Sequence, residues 1–242
     1  MTDAEVLDQL VALQKVDSGI QELEELNSEA KQKIEELNSK IAQNKAEFAS
    51  KKQRLDSFRK KRAEIEVDIK SKEGEIKKKD EQTSQVSTNE AYKALQTEID
   101  SLKADIKKNE DEILSIMEEE EGVYSWIKEQ EVIMKKEEES INEEIKKLND
   151  EIKVREDEAA ERKKARDEQA SKISKNWYER YERIRINKGG LALAPVLSDK
   201  KGNGQCGGCK MSVRAQAVIE VKKKNAIHTC ENCARIWYFE EG

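Results

Sequence analysis

Stepping alternately by three and four residues from Asn27 meets Ala30, Ile34, Leu37, Ile41, Asn44, Phe48, Lys51, Leu55, Phe58, Arg62, Ile65, Ile69, Lys72 and Ile76. Ten of these fifteen positions are apolar, which is the seam of a heptad coiled coil. A second seam starts at Tyr92 and runs through Leu95, Ile99, Leu102, Ile106, Asn109, Ile113, Ile116, Glu120, Val123, Ile127, Gln130, Met134, Glu137 and Ile141. Beyond Glu137 the step is four twice, to Ile141 and Ile145, a stutter that locally unwinds a supercoil. No proline falls between Ala4 and Asn187, so helix is predicted almost throughout that span.

Between the seams lies Gln82-Thr83-Ser84-Gln85-Val86-Ser87-Thr88-Asn89, a stretch without helical charge pairs. It predicts a turn, with Ser87 and Glu90 at capping-box spacing and Thr88 and Asn89 between them. An antiparallel fold about this turn would set Ile41 against Ile127, Ile69 against Ile99 and Ile34 against Met134. Arms of some 80 residues would be roughly 120 Å long. Polar seam members such as Asn27, Asn44, Asn109 and Glu120 weaken the core and penalise slipped registers.

Past Arg162 the second arm outruns the first. The segment Ile173, Trp177, Tyr178, Tyr181, Ile184 and Ile186 concentrates scarce aromatics and reads as the dock for whatever follows. Gly189-Gly190 ends the helix. Leu191 to Leu197 then reads as an edge strand, because it contains Pro195. Asp199 to Gln205 reads as a turn, and Met211–Val213, Ala226–Thr229 and Arg235–Glu240 as further strands. The expected fold class is mostly α: residues 1–188 an antiparallel coiled-coil hairpin with its turn at about 82–89, and residues 189–242 a small β zinc ribbon.

Composition narrows this further. Charged residues make up 40% of the chain and aromatics 5%, with one proline in 242 residues, the usage of long helices and not of one compact core. No apolar run approaches the roughly 18 residues that span a bilayer, and no apolar leader precedes residue 20, so a cytoplasmic protein without a membrane partner is expected. Residues 172–242 hold 14 Lys+Arg against 7 Asp+Glu, the rest 32 against 45. A basic head on an acidic shaft invites an anionic partner.

All four cysteines lie in the last 37 residues, as Cys206-Gly-Gly-Cys209 and Cys230-Glu-Asn-Cys233, 20 residues apart. Paired C-x2-C knuckles at this spacing make a closed tetrahedral site for one structural Zn2+. Disulfides would require a secreted chain, and a redox C-x-x-C a βαβ context. Gly207 and Gly208 are expected to supply the backbone angles of a tight knuckle. The lone histidine, His228, reads as an ordinary strand residue, since four thiolates complete the tetrahedron. A ribbon of about 50 residues buries too little apolar surface to fold alone, and the metal supplies the deficit.

Lys222-Lys223-Lys224, with Lys210, Arg214 and Arg235, form a basic set that could contact phosphates, and Trp237, Tyr238 and Phe239 could stack unpaired bases. The alternative is a solvated loop and a small aromatic core; both readings stand at this point. The runs Glu118–Glu121 and Glu137–Glu139 read as solvated helix faces. No nucleophile with a base, no phosphate-cradling glycine loop and no open metal site is apparent, so neither an enzyme nor a small-molecule substrate is expected.

Four segments stand out together: Thr88-Asn89-Glu90-Ala91-Tyr92-Lys93-Ala94-Leu95 with Glu98-Ile99, Trp177-x-x-x-Tyr181-x-Arg183-Ile184-Arg185, Cys206-x-x-Cys209-Lys210-Met211, and Cys230-Glu-Asn-Cys233-Ala234-Arg235-Ile236-Trp237-Tyr238. In this combination the chain resembles the bacterial coiled-coil proteins that carry a C-terminal four-cysteine zinc ribbon, some of which assist flagellar gene expression. Ala234 stands where that family usually has glycine, and Trp237 where it tends to have leucine. The resemblance implies a non-enzymatic regulator whose coiled coil binds an alternative sigma factor and whose basic ribbon contacts RNA. The alternatives are a nucleic-acid-binding regulator with the hairpin as spacer, and a polymerase secondary-channel regulator. The tip Thr83–Asn89 lacks the paired acids of the latter.

Overall fold

The structure is a computed structural model that describes residues 2–198 and 204–239. Two helices form a long hairpin, α1 (Asp3–Thr83) and α2 (Asn89–Ala170). A third helix α3 (Lys175–Asn187), strands β1 (Leu193–Ser198), β2 (Gly204–Cys206) and β3 (Ser212–Val213), helix α4 (Ala215–Lys223) and strand β4 (Ile236–Tyr238) follow. Among the described residues no helix is long and apolar enough to cross a membrane. The chain divides into two compact units, Glu35–Ile145 and a second made of Met1–Ile34 with Lys146–Gly242.

In the unit Glu35–Ile145 the heptad seam is realised position by position. From Leu37 to Ile76 and from Leu95 to Ile141 each seam residue is buried or half-buried; only Tyr92, next to the turn, is exposed. The turn falls inside the predicted stretch. Thr83 Oγ1 donates back to the Lys79 carbonyl (2.7 Å) as α1 ends, and Thr88 Oγ1 accepts from the Ala91 N–H (3.4 Å) as α2 begins. The cap is therefore Thr88, one residue later than expected. Three residues on stands Ala91, so no reciprocal capping box can form.

The expected partner pairing fails by about one heptad. Phe48 packs on Trp126 with ring centroids 6.3 Å apart, Asn109 donates to Asp68 at 2.7 Å, and Ile41 lines one small cavity with Met134 and Ile141. A heptad repeat fixes which face is apolar, but a slip of seven residues presents the same face again. Polar pairs choose among those slips. Asn44 donates to Glu137 (3.2 Å), Lys45 pairs with Glu138 (2.6 Å), Arg54 with Glu119 (2.8 Å), and Arg59 and Arg62 both grip Glu120 (3.2 and 2.9 Å). The acidic runs are thus not wholly solvated faces, since four of their glutamates reach across to α1. Each exposed pair contributes about 0–1 kcal/mol, so together they select a register more than they add stability.

In the second unit the base of the hairpin and the C-terminal region share one core. Val6, Leu7, Leu10 and Leu13 of α1 pack with Ile173, Tyr181 and Ile184 and with Ala192, Leu193 and Ile236. The aromatic segment docks as expected, except that Ile186 points outward and is 73% exposed. The helix is not continuous into it. Ile173 N–H bonds the Ala170 carbonyl (3.1 Å) in a tight final turn, and α3 restarts after Ser174. Gly189 and Gly190, at φ of 65° and 88°, end α3, with the Gly190 N–H on the Arg185 carbonyl.

Two polar side chains of α1 sit inside this core. Gln14 donates to the Leu193 carbonyl (3.2 Å) and accepts from the Leu193 N–H (2.5 Å), so an amide side chain acts as a strand neighbour for β1. Asp17, 7% exposed, accepts from Arg166 of α2 (2.8 Å) and from the hydroxyl of Tyr181 of α3 (2.6 Å). Arg166 also donates to Tyr178 (3.0 Å) and pairs with Glu182, which Arg185 holds in turn (2.9 Å). Burial works against charge on Arg166, yet the hydrogen bonds to Asp17 and Tyr178 outweigh it and its pKa is raised. Burial first, and then Asp17, push the Tyr181 hydroxyl well above its ordinary range.

The sheet order is β3-β2-β1-β4, with β1 antiparallel to β2 and parallel to β4. The Pro195 strand is therefore central, not an edge. It tolerates proline because its two ladders barely overlap: Leu193–Pro195 pair with β4, Val196–Ser198 with β2. Pro195 sits at the changeover, where only its carbonyl is used, accepting from Gly207 N–H at 2.8 Å. The expected strand Ala226–Thr229 shrinks to one bridge, Thr229 with Ile236. Of the expected turn Asp199–Gln205, residues 199–203 lie outside the described residues. Helix α4 was not anticipated, because its basic end looked like a loop.

Removing the Asp17 charge tests the base. Asp17→Asn should destabilise this unit by about 3 kcal/mol, the scale for breaking a buried ion pair, read as a lower urea midpoint. An unchanged midpoint would show that the network does not hold the base together.

Candidate metal centre

Cys206 ends β2, Cys209 follows in the turn, and Cys230 and Cys233 flank the turn before β4. The four sulfurs lie within 4.8 Å of one another, with Cys206 to Cys233 at 3.9 Å and Cys209 to Cys230 at 3.6 Å. Zn–S bonds of about 2.3 Å in a tetrahedron require sulfurs about 3.8 Å apart. The donor set fits one zinc ion, closed by four thiolates, with a structural role.

The two knuckles repeat one backbone design. Cys206 N–H donates to the Met211 carbonyl (2.9 Å) and Cys230 N–H to that of Arg235 (2.8 Å). Lys210 N–H returns to the Cys206 carbonyl (2.8 Å), and Ala234 N–H to that of Cys230 (2.9 Å). Each motif thus closes on the residue after its second cysteine. That residue is left-handed in both, Lys210 and Ala234 each at φ 63°.

This corrects the role assigned to the glycines. Gly207 and Gly208 do not take positive φ; their need is space. A Cβ on Gly207 would sit 2.9 Å from the Pro195 carbonyl oxygen, and one on Gly208 2.7 Å from Arg235 Cδ. The left-handed demand falls instead on Lys210 and Ala234, which lack glycine's freedom and cost roughly 1–2 kcal/mol each.

Electrostatics divide the thiols. Hydrogen bonding from the Met211 backbone, then from Asn232, lowers the Cys209 pKa to about 6, while burial pushes Cys230 up to about 12. A divalent cation removes this conflict by binding all four as thiolates. His228 lies apart, half-buried, with Nδ1 3.9 Å from Glu220.

The predicted basic residues have different partners. Arg235 is committed to structure, donating to the Leu191 and Lys188 carbonyls (both 3.0 Å). Arg214 reaches Glu231 (3.6 Å), and Lys210 is exposed on the first knuckle. Lys222 and Lys223 end α4; Lys222 lies over the Phe239 ring at 4.5 Å, and Lys224 pairs with Asp8 of α1 at 2.8 Å. Of the aromatics, Trp237 is buried in the ribbon core, while Tyr238 and Phe239 are half-buried. Reasoning from sequence missed Gln14, Asp17 and Lys15. A carboxylate in the apolar stripe Val6, Leu10, Leu13, Ile20 was the available signal for Asp17.

A helical hairpin that carries a four-cysteine metal clasp defines a class of protein, and the comparisons agree with it. Residues 13–189 match the model of the CT398-like coiled coil hairpin domain, and residues 205–236 that of a C4-type zinc ribbon domain. The chain belongs to the CT398-like coiled-coil hairpin family. Its fold is similar to that of CT398 from Chlamydia trachomatis (18% identity, TM-score 0.86, covering 98% of this chain and 99% of that one). It is also similar to HP0958 from Helicobacter pylori (19%, TM-score 0.69, all of both chains) and to a Mycobacterium smegmatis protein (16%, TM-score 0.69, 99% of each). No curated protein matches the chain.

Two measurements check the clasp. Elemental analysis should find one zinc per chain, falling well below half in Cys206→Ser and in Cys233→Ser; full retention in both would refute a four-thiolate site. Ala234→Gly should relieve the left-handed strain, a net gain of about 0.5–1 kcal/mol after glycine's extra chain entropy, seen as slower zinc loss to a chelator. Faster loss would show that Ala234 is not strained.

Proposed function

We propose that this protein is a non-enzymatic adaptor of the cytoplasm, in which residues 1–188 grip a protein of the transcription apparatus and residues 189–242 contact RNA. An alternative sigma factor is the partner that the family resemblance favours. The observation that carries the protein-binding half is a row of apolar side chains on the outer face of α2. Leu114, Met117 and Tyr124 are 60%, 47% and 43% exposed, at spacings that put them on one helix face. They line an open groove of about 530 Å³ with Arg59, Arg62, Glu118, Glu120 and Glu121. Exposed apolar rows rimmed by charge are what protein interfaces use.

The second reading, an RNA regulator whose hairpin is a spacer, is favoured by the lysines at the end of α4. Point variants separate the two better than deletions do, because removing the ribbon would uncover Leu10 and Leu13. Leu114→Glu with Met117→Glu should abolish pull-down of a sigma factor from native lysate and leave zinc content and RNA recovery unchanged. Undiminished pull-down would remove the groove from the interface, and RNA recovered without any transcription protein would favour the second reading.

A further inference from the structure

A second groove, of about 360 Å³, lies between the first turns of α1 and the ribbon. Its volume is within the range of about 300–1,000 Å³ that holds small ligands. Leu7 and Val11 of α1, Tyr238 at the end of β4 and Phe239 just after it supply the apolar part of its lining. Three ammonium groups line it as well, Lys15 from α1 and Lys222 and Lys224 from the end of α4.

Among the described residues the charges do not cancel. Lys224 is matched by Asp8, at 2.8 Å. Lys15 and Lys222 have no carboxylate partner among the described residues, and Lys222 rests 4.5 Å from the centre of the Phe239 ring. Lys224 itself takes a left-handed conformation (φ 51°) as the C-cap of α4, which turns the chain at this point. Aromatic rings beside uncompensated ammonium groups match a ligand that has a planar π-face and an anion one bond system away.

We infer that this groove receives an unpaired nucleotide of a single-stranded RNA, its base against Tyr238 and Phe239 and its phosphate at Lys15 and Lys222. An acidic peptide would satisfy the charge but leave the ring surface unused. Lysine point charges are common phosphate binders, and the nearby arginine, Arg235, is spent on backbone carbonyls. A duplex keeps its base faces stacked and unavailable. The inference rests on the RNA half of the proposed function and gives it an address that includes α1.

Fluorescence anisotropy of the zinc-loaded full chain tests it, with a labelled single-stranded RNA, a duplex of the same sequence and a polyglutamate competitor. The single strand should bind at least tenfold tighter than the duplex, and polyglutamate should compete poorly. Phe239→Leu, which keeps an apolar side chain and removes the π-face, should weaken binding about fivefold or more, the low end of base–aromatic stacking. Lys15→Glu, on an exposed helical position, should weaken it at least tenfold, whereas Arg214→Ala and Lys210→Ala should change it less than twofold. Zinc content and helicity serve as folding controls for each variant. RNA binding that is untouched by Phe239→Leu and Lys15→Glu but lost in Arg214→Ala would overturn the groove and leave the RNA reading standing. Equal competition by polyglutamate would also overturn the groove, and no binding of any RNA by the wild type would overturn both.

Discussion

The carboxylate of Asp17 is the constraint on which the base of this protein depends. It stands in an apolar stripe of α1 and is almost wholly removed from water, a position that is costly unless every lone pair is engaged. Arg166 arrives from α2 and Tyr181 from α3, each within 2.8 Å. Satisfying one buried charge thus fixes three helices relative to one another inside a single core. A hydrophobic residue at position 17 would bury as much surface but would not dictate where α3 must lie. One turn earlier, Gln14 does the same for β1 by matching both backbone groups of Leu193.

Beyond Leu193 the burden passes to the metal. Side chains of β1 divide between two cores, Leu193 in the one shared with α1, Ala194 and Val196 in the ribbon's own. The ribbon core contains Val213, Val218, Val221 and Trp237 besides three of the cysteines, too little apolar surface to stabilise a fold by itself. A zinc ion held by Cys206, Cys209, Cys230 and Cys233 would tie β2 to the turn before β4, the two sides that β1 separates. Close approach of the first knuckle to Pro195 explains both Gly207 and the placement of a proline in a central strand.

Much of this was legible in sequence because it is periodic or chemically specific. The seam residues from Leu37 onward were readable one by one, since a heptad repeat states which face is buried. The four ligands were readable because two C-x2-C pairs at that spacing close a tetrahedral site. What escaped was whatever periodicity leaves degenerate. A slip by a heptad presents the same apolar face again, so the register depended on pairs such as Asp68 with Asn109 and Arg62 with Glu120, which no single-helix pattern contains. Helix α4 escaped because nine residues carry only two turns of signal, and Lys222 and Lys223, favourable at a helix C-terminus, resemble a loop when read alone. Residue Ala234 shows the reverse case: the departure from the family's glycine is visible in sequence, and only the left-handed backbone shows its cost.

Docking of the ribbon on α1 also changes what its surface can do. Seen alone, α4 and β4 offer lysines and half-buried aromatics of the kind found on many small domains. Packed against α1 through Leu7, Leu10 and Ile236, the same residues face Asp8, Val11 and Lys15 across a groove. Among the described residues the ion pair of Lys224 with Asp8 matches one of the three ammonium groups and leaves the other two without a carboxylate, beside the apolar side chains of Leu7 and Val11. That combination belongs to neither partner separately. The buried side chains that fix the ribbon's position therefore also determine whether an anionic, planar ligand has a place to bind.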